Sequence, residues 1–284
     1  METRVSSAGK EVVIADNRPT VLIGERINPT GKKKLAEALK AGDLDIVREE
    51  ALAQAQAGAD IIDVNVGVSG IDETVLLPKA VQAVMEAVDI PLCLDSSSTD
   101  ALEAALKVYK GKALVNSVTG EQHSLKKMLP LIKEHGAAVI GLVQDDDGIP
   151  RAVEGRVRAA RKIVEAVEAA GIPREDLVID CLAFAVGAEP DSGVVVIEAI
   201  RRIKAELGVN MTMGASNVSF GLPDRELINN AFVVMAATAG VTCLIVDVAK
   251  VRPIILAADL VLGRDRRGRR YIEGYRQRSK QEKQ

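Results

Sequence analysis

The chain has no tryptophan, and aromatic residues make up only 2% of its 284 positions. Its core must therefore be assembled from Val, Ile, Leu and Ala rather than around large rings. Histidine occurs twice, as His123 and His135, so a metal centre built on imidazole is not expected. Cysteine occurs three times, as Cys93, Cys181 and Cys243, each inside an apolar run and none in a Cys-x-x-Cys spacing. Buried, reduced thiols are expected. No apolar run approaches the roughly 20 residues of a membrane helix. The opening METRVSSAGKEVV lacks the continuous apolar core of a secretory leader. A cytoplasmic protein without membrane attachment is the expectation. Excess charge of one sign is missing too. Lys and Arg number 37 against 40 Asp and Glu, a net charge of −3, which gives no footprint for nucleic acid.

What is present is a repeating alternation. Near-continuous Val/Ile/Leu runs stand at 21–24, 61–65, 90–95, 113–116, 137–143, 177–180, 210–214 and 241–247. Such runs suit strands buried on both faces. Helical patterns follow them at 32–57 (broken near Gly42-Asp43), 72–87, 99–109, 120–134, 153–167, 190–207, 224–239 and 252–262. In the fifth, Val153, Val157, Ala160, Val164 and Val167 fall at spacings of three and four, on one face. Asp43 is placed to cap the second piece of the first pattern. One more short strand is expected at 12–15, within a polar lead-in. Eight strand–helix units predict a (β/α)8 TIM barrel, a single domain spanning residues 1–284. A doubly wound open sheet for a dinucleotide would need a Gly-rich turn after the first strand, and Gly24-Glu-Arg-Ile-Asn28 is not one. Residues 264–284 form a basic tail, nine Lys or Arg against three acids. It reads as a solvated or partly ordered segment, with a docking patch for an acidic partner as the sharper alternative.

In such a barrel the reactive face lies at the C-terminal ends of the strands. The polar residues at those ends are Glu25, Asp63, Asn65, Asp95, Asn116, Asp180, Asn217 and Asp247. They are carboxylates and carboxamides, without cysteine or histidine. Acids of this kind suit Mg²⁺. They equally suit a ligand rich in N–H donors, such as a pterin, whose 2-amino group and N3–H form a two-donor edge for a carboxylate. Spacing alone does not decide between the two. The stretch Gly214-Ala-Ser-Asn217-Val-Ser-Phe-Gly-Leu-Pro-Asp-Arg225 adds a small polar loop where a strand hands over to a helix. Asn217 there can both donate and accept, and Arg225 is a cation on the first helical turn.

Eight segments occur in order at these strand ends: Gly24-Glu-Arg-Ile-Asn28, Asp63-Val-Asn-Val-Gly67, Cys93-Leu-Asp-Ser96, Val115-Asn-Ser117, Glu134-His-Gly-Ala137, Val178-Ile-Asp180, Ser216-Asn-Val-Ser219 and Arg225-Glu-Leu-Ile-Asn229. Together they resemble the pterin-binding methyltransferases that use methyltetrahydrofolate and a corrinoid protein. More distantly they resemble the folate domain of cobalamin-dependent methionine synthase and dihydropteroate synthase. The resemblance runs from about residue 21 to 262 and implies the same barrel. It implies that Asp95, Asn116 and Asp180 hydrogen-bond the pterin ring, with Asp180 on the amino/N3 edge. Asn217 would face N5, the atom that carries the methyl group. Arg225 would hold the ligand or order the loop, and Glu25 and Asp63 would be outer contacts. Where some corrinoid methyltransferases of the family carry a glutamine after Asn-Val-Ser, this chain has Phe220, as the methionine synthase folate domain more closely does.

The reaction implied is methyl transfer between N5 of 5-methyltetrahydrofolate and the cobalt of a corrinoid. The cobalamin would be supplied by a partner protein, since the chain has no Asp-x-His-x-x-Gly segment of its own. No bound metal is expected, and the family implies a homodimer. Two other functions compete: a dihydropteroate synthase-like enzyme, and a non-catalytic subunit that presents methyltetrahydrofolate to another enzyme.

Overall fold

The computed structural model describes residues 1–281. It opens with an antiparallel hairpin, β1 (Glu2–Ser6) and β2 (Glu11–Ala15). Eight parallel strands follow: β3 (Val21–Ile27), β4 (Ile61–Asn65), β5 (Leu92–Asp95), β6 (Leu114–Thr119), β7 (Ala138–Leu142), β8 (Leu177–Asp180), β9 (Asn210–Thr212) and β10 (Cys243–Val246). Helices α1 (Lys33–Ala41) and α2 (Asp45–Ala57) follow β3. One helix then follows each strand: α3 (Glu73–Ala87), α4 (Thr99–Val108), α5 (Gln122–His135), α6 (Val153–Ala169), α7 (Ser192–Leu207), α8 (Arg225–Ala239) and α9 (Val248–Val261), with α10 (Arg269–Gln281) last.

The strand order β10-β3-β4-β5-β6-β7-β8-β9 wraps into a barrel. Its last seam is closed by the Thr242 and Ile245 amides, which donate to the Met211 and Met213 carbonyls, each at 3.0 Å. This is the expected (β/α)8 TIM barrel. The two-period of a strand divides each apolar run in two. Leu22, Ile62, Leu94, Val139 and Ile179 face the helix ring. Val21, Ile23, Ile61, Cys93, Leu114, Ala138, Ile140, Val178 and Cys243 fill the lumen. All three cysteines are buried and unpaired, as expected.

The hairpin was only half foreseen, because β1 is too short and polar to announce itself. Its apolar side chains, Val5, Val12 and Ile14, complete the lumen cluster and stopper the barrel's N-terminal end. A buried carboxamide fixes it there: Asn210 Nδ2 donates to Thr3 Oγ1 and to the Ile14 carbonyl, both at 2.9 Å.

Local chemistry sets the helix bounds. The Asp72 and Ser98 side chains accept from the first-turn amides of α3 and α4. Asp43 accepts from the Asp45 amide at 2.9 Å, but Leu44 and not Asp43 takes the cap position of α2, which has no side-chain cap. Gly58 closes α2 at φ 92°, where an added Cβ would meet the Arg252 side chain at 2.4 Å, so only glycine fits. Two boundaries differ from expectation. β3 continues through Glu25 to Ile27 rather than ending at Gly24. α9 starts at Val248 rather than at 252, because Val248 and Val251 already face the core. Pro253 then sits inside the helix at the loss of one backbone bond.

The basic segment is not simply solvated. α10 packs on α9, with Gly274 so close that a Cβ would lie 2.5 Å from Leu256. Several of its charges turn inward. Buried Asp265 accepts from the Tyr271 amide at 2.9 Å. Arg264 donates to Thr20 Oγ1 and lies 3.7 Å from buried Asp259. Residues 282–284 of that segment lie outside the described residues.

The stopper is part of the core and not an appendage. Ile14→Ala is therefore expected to cost about 2–5 kcal/mol in urea unfolding, the range for a buried aliphatic truncation. A cost below about 1 kcal/mol would mean that the hairpin only rests on the barrel.

Candidate active site

Above the apolar lumen, the next inward position on most strands is polar. β3 contributes Glu25, β4 Asp63 and Asn65, β5 Asp95, β6 Asn116 and β8 Asp180. A cavity of about 220 Å³ opens over them. It is lined by Glu25, Asn28, Asp63, Asp95, Asn116 and Asp180 below and by Ser216 and Asn217 from the β9–α8 loop. Leu142, Leu182, Ala183 and Ile245 supply apolar walls. Four carboxylates thus share one small cavity, and no lysine, arginine or histidine is among its lining residues.

Each acid is held differently. Asp180 is 4% exposed. It accepts from the Leu182 amide at 2.7 Å on one oxygen and from the Gly214 amide at 3.2 Å on the other. Burial outweighs those bonds and pushes its carboxyl up to about 6. Leu182 itself has a left-handed backbone, φ 54°, uncommon for leucine. Behind it lies buried Arg156, which donates to the Cys181 and Leu182 carbonyls. The guanidinium thereby holds the turn that aims Asp180.

Asp95 accepts from Asn65 Nδ2 at 2.9 Å, and Asn65 Oδ1 in turn accepts from the Gly67 amide at 2.8 Å. Burial raises its carboxyl to about 6 as well, with Asn65 opposing the rise and Glu73 adding to it. Asp63 is 2% exposed. Its bond from Asn116 Nδ2 is a long 3.4 Å. Burial first, and the Asp95 charge second, carry its carboxyl well above the usual range. Glu25 accepts from Ser216 Oγ at 2.7 Å, and burial raises it too.

Six of the seven residues expected at the site line this cavity: Glu25, Asp63, Asp95, Asn116, Asp180 and Asn217. Asn217 is exposed at the rim, and no hydrogen bond among the described residues engages its carboxamide. Arg225 does not line the cavity. It donates to the Ser216 carbonyl at 2.8 Å and to Ser219 Oγ at 3.1 Å, with Phe220 5.8 Å away. It fastens the loop that presents Asn217. Asn28, Asn65 and Ser216 had no assigned role. The signal for Asn65 was available, since a residue two beyond Asp63 on a strand must share its face.

The raised carboxyls have a signed consequence for stability. Between the ordinary carboxyl pKa and its own, native Asp63 keeps a proton that the unfolded chain loses, so its contribution to stability falls as pH rises. Asp63→Asn removes that loss. Its melting temperature at pH 8 is expected to exceed that of the parent, with the gap closing at pH 4; a lower value at both would contradict the assignment.

Comparison with known proteins agrees with this geometry. The family model described as "Pterin binding enzyme" matches residues 24–247. The chain is 34% identical over 267 residues to the methylcorrinoid:tetrahydrofolate methyltransferase of Eubacterium limosum, covering 90% of this chain and 96% of that protein. It is 31% identical over 288 residues to the methionine synthase of Mycobacterium leprae, of which it spans only 24%. Among solved structures, dihydropteroate synthase of Yersinia pestis with a pterine-sulfa conjugate superposes at a TM-score of 0.71 with 19% identity, over 93% of this chain and 100% of that one. That of Xanthomonas albilineans superposes at 0.70 with 22% identity, over 92% and 99%. At those identities the two share the fold. By the extent of the family match and of the methyltransferase match, the chain belongs to the pterin binding enzyme family.

Proposed function

We propose that the protein transfers a methyl group between N5 of 5-methyltetrahydrofolate and the cobalt of a corrinoid carried by a separate protein. The supporting observation is the polar layer over the lumen: two buried acids, Asp63 and Asp180, two half-buried ones, Glu25 and Asp95, and two carboxamides around one cavity, with a free carboxamide at its rim. A flat ligand with several N–H donors satisfies Asp63, Asp95 and Asp180, which otherwise have too few donors for their surroundings. Asp180 takes the 2-amino/N3 edge, with Asp95 and Asn116 along the ring. Its own two amide bonds and Arg156 fix its angle. The relative of matching length is named for this reaction, whereas the likeness to dihydropteroate synthases is one of fold. Ser216 and Asn217 lie in the helical turn that follows β9, the seventh barrel strand.

Transfer from folate to cobalt breaks a C–N bond of a tertiary amine, whose nitrogen is a poor leaving group while it carries no proton. N5 must gain a hydrogen bond and then a proton as that bond breaks. Asn217 supplies the hydrogen bond from the rim. By microscopic reversibility the same contact serves the opposite direction. The protein acts in the cytoplasm as a homodimer, and no helix of the described residues is long and apolar enough to cross a membrane. Sedimentation at micromolar concentration checks the dimer.

The deciding experiment mixes the purified protein, methyltetrahydrofolate and free cob(I)alamin and follows the methylcobalamin spectrum. Transfer is expected in the parent, and a loss of about 10²-fold or more in Asn217→Ala. A variant rate within threefold of the parent would refute the role of Asn217. Folate binding with no transfer at all would favour a presenting subunit.

Binding should follow the carboxyls. Asp180 and Asp95 sit near about 6 in the free protein, and the ligand needs them ionised. Methyltetrahydrofolate affinity by calorimetry is expected to weaken about tenfold per pH unit below 6 for each carboxyl that must ionise, and to level off above 7. Asp180→Asn should bind weakly and with a shallower profile; an unchanged profile would remove Asp180 from the donor edge.

A further inference from the structure

Methyl transfer from folate consumes a proton at N5, and the carboxamide of Asn217 cannot provide one. Glu25 stands where a source would be needed. It lines the ligand cavity, and it also lines a second pocket of about 230 Å³ on the other side of the β9–α8 loop. Ser216 lines both as well, and its hydroxyl is bonded to Glu25 at 2.7 Å. The second pocket is walled by Arg225, Asn229, Asn230, Asp247 and Lys250. Arg225, Glu226 and Lys250 on its wall are exposed, so solvent reaches the pocket. Glu25 and Ser216 form the partition between that water and the ligand cavity.

We infer that Glu25 is the proton reservoir for N5, emptied through Ser216 and refilled from the water of the second pocket. The inference rests on the methyl-transfer reading. As the C–N bond breaks, its electron pair stays on N5, and the new methyl–cobalt bond uses an electron pair of the reduced corrinoid. With Glu25 protonated the bond reverses: the carboxyl donates to Ser216 Oγ, which takes that proton as it gives its own to N5. Glu25 is left as a carboxylate until pocket water reprotonates it. In the reverse direction the same carboxylate takes the proton back.

The surroundings favour a held proton. Burial raises the Glu25 carboxyl, against the Ser216 bond and the Lys32 charge, while Asp247 adds to the rise and Arg26 opposes it. Lys32 Nζ bonds the Arg26 carbonyl at 2.8 Å, and its longer 3.4 Å contact reaches the Glu25 carbonyl. Asp63 faces Glu25 from β4. Across the pocket stand Arg225, Glu226 and Lys250.

The test uses Glu25→Gln, which keeps the shape and removes the exchangeable proton, with Glu25→Asp beside it. Methyltetrahydrofolate affinity and transfer to cob(I)alamin are measured from pH 5.5 to 8.5, with and without added acetate buffer. The Gln variant is expected to bind folate within threefold of the parent and to transfer about 10²-fold more slowly at pH 7.5 in both directions. Its rate should rise with acetic acid concentration, which the parent's does not. The Asp variant should keep more activity than Gln and a pH limb like the parent's. A Gln rate within threefold of the parent at all pH values overturns the inference. So does a loss of folate affinity without acetate rescue, which would make Glu25 a binding residue. A parent that binds folate and transfers nothing is a different result, and it removes the methyl-transfer reading and this inference together.

Discussion

The constraint on which this molecule turns is the crowding of acids in a closed space. Glu25, Asp63, Asp95 and Asp180 surround one cavity, none of whose lining residues is cationic. Water would solvate these charges better than the protein does, and the raised carboxyls record that deficit. The fold tolerates it because the barrel is rigid below and pinned around the rim. The hairpin and the lumen cluster leave no room for the acids to retreat. Asn65, the Leu182 and Gly214 amides and Ser216 then fix the directions of Asp95, Asp180 and Glu25. The arrangement costs stability in the empty protein, and the held protons relieve part of that cost.

The nearest full positive charges lie outside that cavity. Arg156 sits behind the Asp180 turn and bonds carbonyls rather than the carboxylate. Arg225 is turned into its own loop. Lys32 is occupied by backbone carbonyls. A lysine or arginine inside the cavity would neutralise the acids and compete with the ligand for them. Here cations shape the backbone that carries the acids and leave the recognition edge to neutral and acidic groups.

Much of this was legible in the sequence. Near-continuous Val/Ile/Leu runs at regular intervals carry the barrel, and the polar residue at the end of each run marks the mouth. What escaped depended on contacts between distant segments. β1 pairs with β2 and packs into a lumen that no local pattern reveals. α10 looks solvated because its composition is basic, yet Asp265 and Gly274 seat it on α9. Arg225 was assigned to the ligand or to its loop, and only the direction of its guanidinium separates the two. Asn65 is legible as a strand-end residue, but its bond to Asp95 needed the pairing of β4 with β5. Ser216 needed the fold, because Glu25 lies 191 residues away in sequence.

The stoppered lumen also dictates traffic. With Val5, Val12 and Ile14 filling the N-terminal end, the barrel is a blind well, and everything that reaches its floor passes through one opening. On the proposed reaction two large molecules use that opening, one lying on the floor and the other closing over it. The smaller must be seated before the larger arrives and can leave only after it has lifted away. The packed lumen, which the hairpin completes, thus sets that order on the proposed reaction, although no part of the hairpin lines the cavity.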